Sequence, residues 1–186
     1  MNSFLRLKNI SCYPGIRMMH ARYVKHKFTK HCHEGYAFGV IEHGNLGFRY
    51  RGESLCASAG NINLVNPDEP HDGHDFEQKG WQYRMFYLEP FVLSEIMEEL
   101  TNRENELPFF QDGVIVDKGL ANGLLRIHTD ILDNELCTLE IEERLFEFFL
   151  QFVMRYADSK VQDKKYTKSL PAVKKAKEYL LAHCSE

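Results

Sequence analysis

The sequence predicts a mainly β fold that ends in α-helix, and three observations carry that prediction. Between residues 18 and 88, short apolar runs alternate with turn residues; past Glu89 the apolar period lengthens toward 3.6; and residues 138–157 are apolar on nearly every side. Short strands with frequent turns imply an all-β sandwich or barrel.

The strand runs fall at 36–41, 46–50, 62–65 and 85–88. They are separated by Gly44-Asn45, Gly52, Gly60 and a 67–70 turn bounded by two prolines, residue types that supply the backbone angles tight turns need. Pro90 suits the first turn of a helix whose stripe is Val92, Ile96 and Leu100, flanked by Leu93 and Met97. A short extended piece at 114–116 leads to a second helix, capped near Asp117, with Leu120, Leu124, Ile127 and Ile131 along one face. The third helix is expected to start at a Thr138 cap, with Glu140, Glu142 and Glu143 at its positive end and Arg155 at the other. Its first stripe is Ile141, Leu145, Phe148, Phe149, Phe152 and Tyr156; its second is Leu139, Phe146, Leu150 and Val153. A helix apolar on both sides must be covered on both. The second cover is either the 120–132 helix or another copy of the chain, which makes Leu139, Phe146, Leu150 and Val153 the candidate dimerisation surface.

Composition narrows the function classes. Thirteen Phe and nine Tyr in 186 residues favour a packed interior. No stretch has the apolar length of a membrane span or the h-region of a secretory signal. Five cysteines without a Cys-x-x-Cys pair suggest neither a disulfide framework nor a zinc knuckle. A cytoplasmic protein with reduced thiols is expected. The net charge of -4 argues against nucleic-acid binding over the whole surface, yet seven lysines face four acids from Asp158 onward. Residues 158–170 read as a polar linker. A last helix follows, with Leu170, Val173, Ala176 and Leu180 on one face.

His31-Cys32-His33-Glu34-Gly35-Tyr36, then Gly44, Gly52 and Gly60, then Asn66-Pro67-Asp68-Glu69-Pro70-His71, resemble the N-terminal domains of AraC/XylS-family transcription regulators, which belong to the cupin superfamily. The run Pro171-Ala172-Val173-Lys174-Lys175-Ala176-Lys177-Glu178-Tyr179-Leu180 is similar to the opening helix of that family's DNA-binding domain. The resemblance implies a cupin-like double-stranded β-helix, or jelly-roll barrel, over residues 1–89 and a helical dimerisation region over 90–157. It further implies a linker over 158–170 and, over 171–186, the start of a truncated helix-turn-helix domain. The implied function is to bind a small effector (amino acid, organic acid or sugar) in the barrel, as a homodimer that meets DNA only through the missing C-terminal domain. No enzymatic activity and no cofactor are implied.

His31-x-His33 on a strand would place two imidazoles on one face, and His71 resembles the later ligand histidine of metal-binding cupins. The glutamate expected four or five residues after the second histidine is replaced by Ala37 and Phe38, so no metal is assigned. A three-histidine site stays open, as does a turn with solvent-facing imidazoles. If His31 and His33 point inward, so do Gly35, Ala37 and Gly39, and such small residues leave volume for a ligand. Aligning Trp81 with the matching tryptophan of the family's arabinose-responsive members puts Tyr83 and Met85 at pocket-facing places by resemblance, with Trp81 and Tyr83 as the candidates for ring stacking and a hydrogen-bond handle. Arg22 and Arg84 are candidate clamps for a carboxylate, which would favour an amino acid or organic acid over a neutral sugar. The candidate ligand set is therefore His31, His33, His71, Trp81, Tyr83, Arg22 and Arg84. The alternative function is a small metal-dependent cupin enzyme, an isomerase or oxygenase.

Overall fold

The computed structural model describes residues 3–133 and 136–158. The expected linker beyond Asp158 and the expected last helix lie outside the described residues. Ten strands and three helices follow in the order β1 (Phe4–Asn9), β2 (Ile16–Tyr23), β3 (Lys27–His31), β4 (Tyr36–His43), β5 (Asn45–Tyr50), β6 (Glu53–Ser58), β7 (Ile62–Val65), β8 (His71–Asp75), β9 (Trp81–Leu88), α1 (Pro90–Thr101), β10 (Val114–Ile115), α2 (Lys118–Asp133) and α3 (Thr138–Tyr156).

The strands form two antiparallel sheets. The larger has the order β1-β2-β9-β4-β7-β10, and the smaller has β3-β8-β5-β6. This corrects the expected cupin-like barrel: the fold is a mixed α/β arrangement of two sheets that do not close on each other. The reason lies in how the chain changes sheet. Two of its six crossings fall at Gly44, between β4 and β5, and at Gly80, between β8 and β9, both at positive φ (+73° and +86°). A Cβ on Gly44 would stand 2.0 Å from the Gly80 carbonyl oxygen. No strand is shared by the two sheets, so each ladder ends at its own edges.

Two cores result. β4 and β9 lie side by side and are buried along most of their length. On one face Tyr36, Phe38, Phe86 and Leu88 pack under the helices; on the other Ala37, Ile41, Trp81, Tyr83 and Met85 face the smaller sheet. Strand alternation is what divides them. β4 and β9 are therefore dry on both faces.

The helices follow the expected stripes. Pro90 opens α1, and Val92, Leu93, Ile96, Met97 and Leu100 are buried. Asp117 caps α2, its Oδ1 accepting the Leu120 N–H at 3.0 Å. At α3 the cap is Cys137 rather than Thr138: the side chain of Glu140 reaches back to accept the Cys137 N–H at 3.3 Å. Both α1 and α2 contact α3, and Phe152 meets Phe38 edge-on at 4.9 Å. Within the second stripe of α3, Leu150 and Val153 are buried in their own chain, whereas Leu139 and Phe146 stay half-buried.

Gly44 and Gly52 both hold positive φ, but only Gly44 is crowded, since a Cβ on Gly52 meets nothing within 4 Å. Gly52→Ala is expected to cost about 1–2 kcal/mol, the left-handed penalty alone. Gly44→Ala should cost at least about 1 kcal/mol more because backbone must move. Urea unfolding of the two variants measures the difference.

Candidate functional site

Three histidines converge at the mouth of a cavity between the sheets. His31 ends β3 and His71 begins β8, and the two are direct cross-strand partners. His33 sits in the connection from β3 to β4, not on a strand as the sequence suggested. Its carbonyl accepts the Asp68 N–H at 2.8 Å, which ties this connection to the 67–70 turn. The candidate ligand nitrogens all lie within 4.8 Å of one another, and the ring centroids are 4.4–5.0 Å apart. The cavity behind them measures about 190 Å³, with Ala37, Val65, Met85 and Phe48 among its apolar walls and Asn63, Tyr83 and Tyr87 among its polar ones.

Hydrogen bonds set the imidazoles' roles. His31 Nδ1 lies 2.7 Å from the Thr29 carbonyl oxygen, and His71 Nδ1 lies 3.0 Å from that of Glu69. A carbonyl only accepts, so each Nδ1 carries a proton and Nε2 is the ring nitrogen left to meet a ligand. Burial, and then the nearby His71 and His31, push His33 down to about 4. Burial also lowers His71, against the opposing bond to Glu69. Both rings are uncharged at neutral pH, the state in which imidazole binds a metal or accepts a donor.

Of the residues singled out from sequence, His31, His33, His71 and Tyr83 come together on this cavity. Trp81 is fully buried beside Tyr23, ring centroids 5.3 Å apart, and is not part of the cavity wall. Arg84 is on the other face of β9, toward the helices. Its Nε donates to Glu42 at 2.9 Å, Gln82 donates to the same carboxylate at 2.7 Å, and His20 and His128 adjoin the pair. Arg22 is the register partner of Gln82 and shares that face. Gly39 leaves no empty volume, because Met85 Sδ and Asn63 Oδ1 occupy the space where its Cβ would be. Sequence reasoning missed Asn63 and Tyr87. The available signal for Asn63 was a lone polar residue among Ile62, Leu64 and Val65.

The convergence of the three histidines also corrects the expectation of a chain without enzymatic chemistry. Three imidazole donors with one open side form a set that can hold a catalytic metal, so the strict exclusion of an enzyme does not stand.

Against known proteins, the family model described as "AraC-like ligand binding domain" matches residues 13–149. Among curated proteins, the chain is 24% identical over 135 residues to the uncharacterized HTH-type transcriptional regulator YbfI of Bacillus subtilis (strain 168). The match covers 73% of this chain and 48% of that protein, so the chain spans about half of its relative's length. Similar solved structures include a conserved protein of unknown function from Streptococcus pyogenes (14% identity, TM-score 0.42, 48% of this chain and 75% of that one). Another is a cupin superfamily protein from Desulfitobacterium hafniense DCB-2 (7%, 0.40, 46% and 77%). A third is KdgF from Halomonas sp. (17%, 0.38, 45% and 78%).

Two outcomes are expected from the polar cluster on the helix side. Glu42→Leu strands the buried Arg84 and should cost about 3–5 kcal/mol in urea unfolding. His128 is fully buried and held at about 4, first by burial and then by Arg84 and His20. The unfolded chain binds this proton near 6.5, so stability is complete above that pH and is lost as the pH falls toward 4. The gap corresponds to about 3 kcal/mol, and His128→Gln should flatten the decline of the urea midpoint between pH 7 and pH 4.

Proposed function

Because this chain belongs to the AraC-like ligand binding domain family, matched over residues 13–149, we propose that it is the sensing region of a transcription regulator, taking a small effector into the cavity between its sheets. One observation carries this reading: His31, His33 and His71 converge on a cavity whose remaining wall is mostly apolar, the combination of shape and few oriented polar groups that small-molecule sites share. The HTH-type name of its Bacillus relative supports the regulatory side. DNA contact then falls to a part of the regulator other than this one, because specific readout needs an element that enters a groove.

In this reading two copies pair along α3, through Leu139 and Phe146, the half-buried members of its second stripe. Phe146→Glu is expected to yield a folded monomer in sedimentation velocity; an unchanged oligomer would remove α3 from the interface.

A second reading is favoured by the donor set itself. His31, His33 and His71 fit a first-row transition metal with an open position, where the metal would act as a Lewis acid on a bound oxygen. One pair of measurements separates the two. The sensing reading expects well under one metal equivalent in protein purified without chelators, and a rise in thermal midpoint with a member of a panel of sugars, amino acids and organic acids, lost in His33→Leu and His71→Leu. Ligand at 100 times its Kd adds about 2.7 kcal/mol. The metal reading expects about one equivalent per chain, abolished by His71→Leu.

A further inference from the structure

The point at which the chain leaves α3 is fastened to the turn beside the three histidines, and one side chain makes the fastening. β7 pairs with β10, and the Leu64 N–H extends that pairing to the Gly113 carbonyl at 2.9 Å. Pro67 has no N–H, so the backbone cannot carry the ladder further. The carboxamide of Asn66 carries it instead. Its Oδ1 accepts the Phe110 N–H at 3.1 Å and its Nδ2 donates to the Phe110 carbonyl at 2.8 Å, the two bonds a paired strand residue would make. Nδ2 also donates to the Tyr50 hydroxyl at 2.9 Å, and Tyr50 is the register partner of His71. Asn66 is 2% exposed, so water cannot replace these bonds.

The same segment holds the end of α3. Phe110 and Ala157 form an antiparallel bridge, and the Asp158 N–H donates to the Phe109 carbonyl at 2.9 Å. Phe109 and Phe110 thus stand between Asn66 and residues 157–158. Arg51 adds a second tie from the turn to this segment: it donates to the Gln111 carbonyl at 3.2 Å, lies over the Phe109 ring at 4.8 Å and pairs with Glu69 at 3.8 Å. Being partly exposed, that ion pair is the weaker tie. At the cavity end the turn is bound as closely. The Glu69 carbonyl accepts the His71 Nδ1 proton at 3.0 Å, and the Asp68 N–H donates to the His33 carbonyl.

We infer that Asn66 is a positioning residue that couples the mouth of the cavity to the exit of α3. The 66–71 turn is gripped by His33 and His71 at one end and, through the Asn66 carboxamide and Phe110, grips residues 157–158 at the other. A ligand that draws His33 and His71 together acts on this turn, and the effect is felt where the chain leaves the helix. Asparagine is the residue the task requires: aspartate has no proton for the Phe110 carbonyl, and an apolar side chain has neither donor nor acceptor. This inference rests on the sensing reading above and states how that site would be read out.

Amide hydrogen exchange on the whole chain tests the coupling without any ligand. Asn66→Ala is expected to speed exchange at the Asp158 amide about 10- to 100-fold, through the loss of buried hydrogen bonds, with the Phe86 amide on β9 unchanged. An unchanged Asp158 amide would overturn the inference. So would equal acceleration at Phe86, because Asn66 would then support the fold as a whole. His71→Leu, which removes the bond to Glu69, should speed the Asp158 amide in the unsubstituted chain and add nothing in Asn66→Ala; additive effects would put the two residues on separate paths and refute the coupling. If Asn66→Ala does not fold, Asp158→Pro decides. Proline has no N–H to give to Phe109, and the extended Ala157 (φ -70°, ψ 150°) accepts a proline after it. The Asp68 amide at the cavity end should then exchange at least about threefold faster than in Asp158→Ala; equal rates in the two variants sink the inference. The sensing reading is judged separately, by the thermal midpoint with the panel of sugars, amino acids and organic acids.

Discussion

Burial of β9 and β4 on both faces is the constraint on which the other features depend. A strand with no solvent side must place every residue in one core or the other, and alternation assigns them without exception: Trp81, Tyr83, Met85 and Tyr87 toward the smaller sheet, Gln82, Arg84, Phe86 and Leu88 toward the helices. A polar residue in such a strand needs a partner where it lands. Arg84 finds Glu42 on the adjacent β4, and Glu42 accepts Gln82 and adjoins His20 as well. Desolvating a charge costs several kcal/mol, so an arginine can remain here only because its carboxylate and hydrogen bonds are held in place by the same two strands.

The candidate site obeys the same rule on the other face. His31 and His71 approach because β3 and β8 pair in that register, and His33 joins them because Asp68 fixes its carbonyl. Burial keeps His33 and His71 neutral, the state in which an imidazole nitrogen has a lone pair to offer. Tyr83, Arg84 and Met85 are consecutive. Tyr83 and Met85 face the cavity, while Arg84 between them bonds Glu42 and reaches His128 on α2 at 3.4 Å. The sheet is the physical link between the cavity and the helical layer.

The open architecture follows from the unequal sheets. Six strands cannot be covered by four, and the overhang falls at β1, where Leu5 and Leu7 are 53% and 61% exposed. β1 is instead held from the helix side, by Lys8 donating to the Ile131 carbonyl and by Phe4 edge-on to His20.

Local periodicity was enough to determine the strand-rich first half, the three helices and their buried stripes, because these depend on which neighbours along the chain share a face. The pairing of His31, His33 and His71 was also legible, through a spacing that resembles a known arrangement. The face on which Arg22 and Arg84 would fall was not, since alternation gives two faces and only the stacking of the second sheet says which encloses the cavity. Gly39 read as empty space for the same reason: its neighbours Met85 and Asn63 come from strands 46 and 24 residues away. That the ten strands stop as two sheets of six and four was decided by pairings between distant segments, and close approaches such as that of Gly44 to Gly80 are contacts that no local pattern encodes.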